Sequence, residues 1–145
     1  MKKKILLIAG GYSNERDISL LTAKSVYLAL KKNKKYNLKI IEPDGNFIKK
    51  LRLYKPDVVL NLLHGRFGED GYVQSILESE KIKYTHSGVK SSAIAIDKEL
   101  SKKLFIKNNI PTPKYVKFEF KKNIIKKNII KIIKKIRFSS SCKAD

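Results

Sequence analysis

Residues 5–11 read Ile-Leu-Leu-Ile-Ala-Gly-Gly, and this run decides the fold. Five consecutive apolar side chains leave no polar face, so the segment suits a strand covered on both sides, the environment found in parallel sheets. Gly10-Gly11 then lets the chain turn sharply. A helix is expected next: Asp17 is a candidate N-cap, and Ala23, Val26, Tyr27 and Leu30 recur at helical spacing up to Lys31-Lys32.

The pattern repeats along the chain. Leu38–Ile41 is a second short strand, closed by the turn tripeptide Pro43-Asp44-Gly45, and Phe47–Leu53 suits a short helix. Asp57–Leu63 reads as a third buried strand that delivers His64 to its carboxyl end. Glu69–Glu80 follows as a helix with Val73, Ile76 and Leu77 inward, then Ile82–Thr85 as a brief fourth strand, then helices around Ser91–Ile96 and Lys98–Asn108. Alternating buried strands and amphipathic helices predict an α/β, Rossmann-like parallel sheet flanked by helices. In such sheets ligands bind outside the carboxyl ends of the strands, which selects the loops Gly10–Glu15 and His64–Gly71. Past Pro111-Thr112-Pro113, Lys114–Phe120 alternates like a strand entering a new unit, and Ile125, Ile129, Ile132 and Ile136 form a lysine-flanked helical stripe.

With 145 residues, 42% of them hydrophobic, the chain is the size of one ordinary domain. Its formal charge of +20 would suit a phosphate backbone. Arginine, the residue that forks onto phosphates and guanine edges, stands only at 16, 52, 66 and 137. Lysine spread over solvated faces by compositional drift is therefore preferred to a nucleic-acid module. The apolar run after Met1 is too short for a secretory signal, and no stretch reaches the roughly 20 apolar residues of a membrane span. One cysteine, Cys142, cannot form an internal disulfide, in keeping with a reducing, cytoplasmic setting and no membrane partner.

Chemistry concentrates in the two selected loops. Gly10-Gly11-Tyr12-Ser13-Asn14-Glu15-Arg16-Asp17 lacks the dinucleotide fingerprint. It offers a carboxylate, Glu15, to the mouth of the site, where it could hold a substrate ammonium group; equally, Ser13, Asn14 and Glu15 could serve only to cap a helix. His64-Gly65-Arg66-Phe67-Gly68-Glu69-Asp70-Gly71 gathers an imidazole, a guanidinium and two carboxylates at a strand end, expensive chemistry for a connector, although Glu69 and Asp70 could simply cap the next helix. Tyr84-Thr85-His86-Ser87-Gly88-Val89 and Asp97-Lys98 complete the set, and Lys98 could place a point charge on a phosphate.

Together and in this order the four segments resemble the D-alanine:D-alanine ligase family of the ATP-grasp superfamily. Its Gly-Gly-x-Ser-x-Glu-Arg-x-x-Ser falls on residues 10–19, His-Gly-x-x-Gly-Glu-Asp-Gly on 64–71, Tyr-Thr-x-Ser-Gly-Val on 84–89, and Asp-Lys on 97–98. The resemblance implies ATP-dependent joining of two D-alanines through an acyl phosphate, for peptidoglycan synthesis. By position, Glu15 and His64 would be the catalytic-site residues, with Gly10, Gly11, Ser13 and Gly65 completing the D-alanine site and Lys98 contacting ATP. The metal, Mg2+ (or Mn2+), would be held beyond residue 145, and the full-length family is expected to be homodimeric. Residues 1–97 would form the substrate-binding domain, 98–137 the beginning of an incomplete ATP-grasp domain, and 138–145 an aberrant tail. A stand-alone α/β small-molecule-binding protein is the alternative.

The tail expectation rests on its lettering. Where the family has a strand close to Phe-Pro-Val-Val-Val-Lys-Pro, this chain reads Phe138-Ser-Ser-Ser-Cys-Lys-Ala-Asp145. Codons permitted by the degenerate code for that string become Phe-Pro-Val-Leu-Val-Lys-Pro when a single base is removed. Lys143 is accordingly not taken for the family's ATP-gripping lysine, and the isolated chain is expected to be inactive.

Overall fold

A computed structural model describes residues 1–115 together with Lys117 and Ile130. The expected strand over Lys114–Phe120, the isoleucine stripe and the tail after Phe138 lie outside the described residues, apart from Lys114, Tyr115 and Lys117. The chain divides into two compact units after Lys98.

The first unit is built on a parallel sheet of β1 (Lys3–Ile8), β2 (Tyr36–Ile41) and β3 (Val58–Asn61), in the order β2-β1-β3. β1 is central: Leu6 aligns with Lys39 on one side and Val59 on the other. That position explains the unbroken apolar run, since Leu6, Leu7, Ile8 and Ala9 have no exposed surface. β2 lies at the edge, so only Ile41 is buried and its other side chains alternate between half-buried and exposed.

Helices α1 (Arg16–Lys31), α2 (Phe47–Tyr54), α3 (Tyr72–Ser79) and α4 (Val89–Ile96) connect and cover the strands. Leu6, Ile8, Ile41, Phe47, Leu51, Val59, Leu63, Val73 and Leu77 make one core. The expected α1 stripe holds, with Ala23 buried and Val26, Tyr27 and Leu30 half-buried, and it extends back to a buried Ser19. The helix starts earlier than expected: Glu15 is the N-cap, and Asp17 lies in the first turn. Two-pronged ion pairs brace the outside, Arg16 on Glu42 and Arg52 on Glu80.

The fourth strand shrinks to one parallel bridge, Val59 with Tyr84. The reason is local. After Thr85 N–H donates to the Val59 carbonyl, the next acceptor, for Asn61 N–H, is the Thr85 hydroxyl at 3.1 Å rather than a main-chain carbonyl. His86 then turns away at φ 102°, a left-handed value that a non-glycine residue adopts only where its surroundings impose it.

The second unit begins at Glu99, within α5 (Lys98–Lys107). Lys102 Nζ donates to Thr112 Oγ1 at 3.1 Å and to the Pro113 carbonyl at 2.9 Å, which ties the Pro111–Pro113 segment back to its helix. Hydrogen bonds from Lys103 and then Lys117 hold the Glu99 carboxyl down to about 2. No helix among the described residues is long and apolar enough to cross a membrane.

Two stability outcomes follow from this packing. Leu77→Ala, which empties a fully buried core position, is expected to cost about 2–5 kcal/mol in urea unfolding. Side-chain hydrogen bonds from Arg16, Lys50 and Arg52 are the leading causes that hold Glu42, Asp44 and Glu80 below the usual carboxylate range. A group whose pKa is lower in the folded chain stabilises it above its ordinary pKa and loses that contribution as pH falls through the folded value. The urea midpoint should therefore stay level down to about pH 5 and decline below about pH 4, and added salt should blunt the decline because these pairs are exposed.

Candidate functional site

The carboxyl ends of β1 and β3 point the same way, so the loops that leave them meet. A single hydroxyl fixes the meeting point. Ser19 Oγ, fully buried on α1, accepts from Gly10 N–H at 2.8 Å and donates to the Leu62 carbonyl at 2.6 Å. Gly10 and Gly11 both take left-handed φ near 83° and 82°, which lets their successive N–H groups reach separate partners, Gly11 donating to Glu42 Oε1 at 3.0 Å.

Beyond this turn the two loops interlock. Ser13 Oγ donates to the His64 carbonyl at 2.7 Å and accepts from Glu15 N–H at 3.2 Å. The Glu15 carboxylate passes directly over Gly65, where a Cβ would stand 2.7 Å from its Oε2. Glycine suits position 65 because of its φ of +69°, and a side chain there would in addition push the Glu15 carboxylate aside. Among the described residues, the exposed Glu15 side chain makes no hydrogen bond or ion pair.

His64 is half-buried and flanked by side chains on both ring nitrogens. Its Nε2 lies 3.3 Å from Thr22 Oγ1 and its Nδ1 lies 3.7 Å from Glu69 Oε1. The Thr22 hydroxyl also donates to the Ile18 carbonyl at 2.9 Å. Glu69 uses its other oxygen to accept from Gly65 N–H at 3.1 Å. Asp70 has the bland role foreseen for it, capping the turn through Phe67 N–H and Tyr72 N–H at 2.8 and 3.0 Å. Glu69 does not cap the helix; it faces the imidazole.

Ser13, Glu15, His64 and Gly65 are therefore gathered in one place, with Gly10 and Gly11 at its base. Lys98 stands apart, exposed at the first residue of α5 with no hydrogen bond or ion pair to this cluster. The described residues contain no group of three His, Cys, Asp or Glu side chains that could hold a metal ion.

Three contributors escaped the sequence reading. Glu42 follows β2 directly, so the carboxyl-end rule reaches it as well as the chosen loops, but the turn signal of Pro43-Asp44-Gly45 obscured it. Thr22 lay on a helix face read only for its apolar stripe. Asn61, buried at the end of β3, donates to the Gly68 carbonyl at 2.7 Å and meets His86 Nδ1 at 3.1 Å, tying two loops together; nothing in a continuous strand pattern marks it.

No family model matches the chain. Individual proteins match it strongly. It is 61% identical over 135 residues to the D-alanine--D-alanine ligase of Pelagibacter ubique, an alignment covering 93% of this chain and 43% of that protein. It is 48% identical over 112 residues to that of Zymomonas mobilis, covering 77% and 35%. The crystal structure of the Bacillus anthracis D-alanine--D-alanine ligase complexed with ATP superposes with a TM-score of 0.74 at 33% identity, over 92% of this chain and 43% of that one. The chain thus spans less than half the length of the relatives it matches, and over that span it belongs to the D-alanine--D-alanine ligase family.

Proposed function

We propose that this chain is the first-substrate-binding portion of an ATP-dependent ligase that joins two D-alanines, with Glu15 receiving the ammonium group of the first D-alanine and His64 seating that substrate beside it. The observation that carries this reading is the Glu15 carboxylate: uncommitted among the described residues, close over Gly65, and on a loop that Ser13 ties to the main chain of His64 at the carboxyl ends of a parallel sheet. An ammonium group supplies what that carboxylate lacks, and charge-assisted hydrogen bonds are about twice as strong as neutral ones.

Local charge supports the same choice. The loops after β1, β2 and β3 carry Glu15, Glu42, Asp44, Glu69 and Asp70 against Arg66 and no lysine, with Arg16 of α1 on Glu42 and Lys50 of α2 on Asp44, in a chain of net charge +20. A cationic ligand group suits such a mouth, whereas a phosphate backbone does not, so nucleic acid is not a partner in this reading. Gly10, Gly11, Ser13 and Gly65 shape the pocket through their main chain and, for Ser13, one hydroxyl.

In the complete reaction ATP activates the carboxylate of the first D-alanine and the second supplies the attacking amine, within peptidoglycan synthesis in the cytoplasm. Lys98 is proposed to contact ATP, and residues 98–137 to begin the ATP-grasp domain after a substrate domain at 1–97. Mg2+ (or Mn2+) would complete the phosphate chemistry. The described residues offer no group of three His, Cys, Asp or Glu side chains to hold it. The full-length protein is proposed to be a homodimer away from any membrane.

Two outcomes test this. In a titration of the isotope-labelled chain, D-alanine should shift the amide resonances of residues 11–15 and 64–66, and Glu15→Gln should weaken binding by about tenfold or more, the worth of roughly 1.4 kcal/mol; an unchanged affinity in that variant removes Glu15 from the role. With ATP and D-alanine the isolated chain should release no phosphate and form no dipeptide, and detectable D-alanyl-D-alanine would overturn the assignment of this chain to substrate binding alone.

A further inference from the structure

The two ends of the Glu15 loop are held by one side chain that lies outside it. Glu42, the first residue after β2, accepts from Gly11 N–H at 3.0 Å and from Arg16 Nε and Nη2 at 2.7 and 2.9 Å. Gly11 precedes the Tyr12–Glu15 segment and Arg16 follows it. The carboxylate also covers Gly10 so closely that a Cβ there would stand 2.5 Å from Glu42 Oε1. Only the loops after β1 and β3 were expected to build the pocket; this arrangement brings in β2.

We infer that Glu42 is a positioning residue of the substrate site: by clamping Gly11 and Arg16 to the carboxyl end of β2, it fixes the loop that presents the Glu15 carboxylate over Gly65. The inference rests on the reading of Glu15 as the ammonium-binding group. Its physical basis is that an exposed side chain binds well only if its backbone is already held in the productive geometry. Arg16 is suited to the task because its planar guanidinium grips both oxygens of one carboxylate, which a lysine ammonium cannot do. Glu42 in turn must be a carboxylate. A glutamine would keep an acceptor for Gly11 but set an NH2 group against the guanidinium. An aspartate keeps the charge on a stem one methylene shorter.

The test is a D-alanine titration of the 145-residue chain and its Glu42→Gln, Glu42→Asp and Arg16→Lys variants, with L-alanine alongside and amide exchange read at Gly11 and Glu15. The expected result is affinity for D-alanine reduced by about tenfold in Glu42→Gln and Arg16→Lys and by less in Glu42→Asp. Preference for D- over L-alanine should fall in parallel, while the resonances of β1 and β3 stay in place. Partial rescue by aspartate and loss of stereochemical preference are readouts that a general loss of stability would not give. If wild type binds D-alanine and Glu42→Gln binds it equally well, the clamp is refuted and the Glu15 pocket stands. If wild type does not bind, the pocket reading fails, and exchange then decides the clamp alone: faster exchange at Gly11 and Glu15 in Glu42→Gln and Arg16→Lys upholds it, and unchanged exchange overturns it. Should Glu42→Gln not fold, Arg16→Lys, which keeps the charge and loses the fork, carries the same comparison.

Discussion

A parallel sheet delivers all its strand ends to one side, and in this chain that constraint is made definite by the Ser19 hydroxyl. One oxygen accepts from the main chain leaving β1 and donates to the main chain leaving β3. It does so from inside α1, the helix that the first of those loops begins. Strand end, loop and helix start are thereby locked in a closed circuit, and the second loop is attached to the same point. Ser13 adds a second tie between the loops, donating to the His64 carbonyl. Positions of reactive side chains on the two loops are set by main-chain hydrogen bonds that are mostly short and part-buried, the conditions in which such bonds specify geometry most strongly.

Against that frame the charge distribution becomes intelligible. Lysines crowd the amino-terminal end of the sheet, at Lys2, Lys3, Lys34 and Lys35. The three loops at the opposite end carry five acidic residues and no lysine, and Lys50 of α2 reaches one of them, Asp44. Random lysine enrichment would spread over both ends. The absence of lysine from the loops themselves leaves Glu15 and Glu69 without a lysine partner among the described residues, where an ion pair at about 4 Å near a protein surface is worth several kcal/mol before solvent and entropy costs.

Much of this was readable in the sequence, for reasons that differ by element. The unbroken run Ile5–Ala9 announced a central strand because only a position paired on both sides and covered on both faces has no use for a polar side chain. That Glu15 and His64 stand on neighbouring loops was legible because glycine-rich polar loops at the carboxyl ends of a parallel sheet emerge on one side. The failures share one cause. Ile82–Thr85 has the composition of a strand, yet whether it pairs for four residues or one depends on the Thr85 hydroxyl replacing a carbonyl as the acceptor for Asn61, a choice made between segments and invisible within either. Glu42 and Thr22 were overlooked likewise, because each acts only through partners distant in the chain, Arg16 and His64.

Two glutamates close together in the fold show how environment rather than residue type assigns a role. Glu42 is fully spent: a guanidinium fork and a main-chain N–H occupy its oxygens, and the Arg16 side chain is the foremost cause that holds its carboxyl below the usual range. Glu15, distant in sequence from the Gly65 it lies over and adjacent to Arg16, receives none of that guanidinium. Were Arg16 free to turn toward Glu15, it would neutralise that carboxylate as well. By drawing Arg16 away, Glu42 leaves Glu15 without that guanidinium, so a structural ion pair and an unpaired carboxylate side by side with it in sequence are two consequences of the same contact.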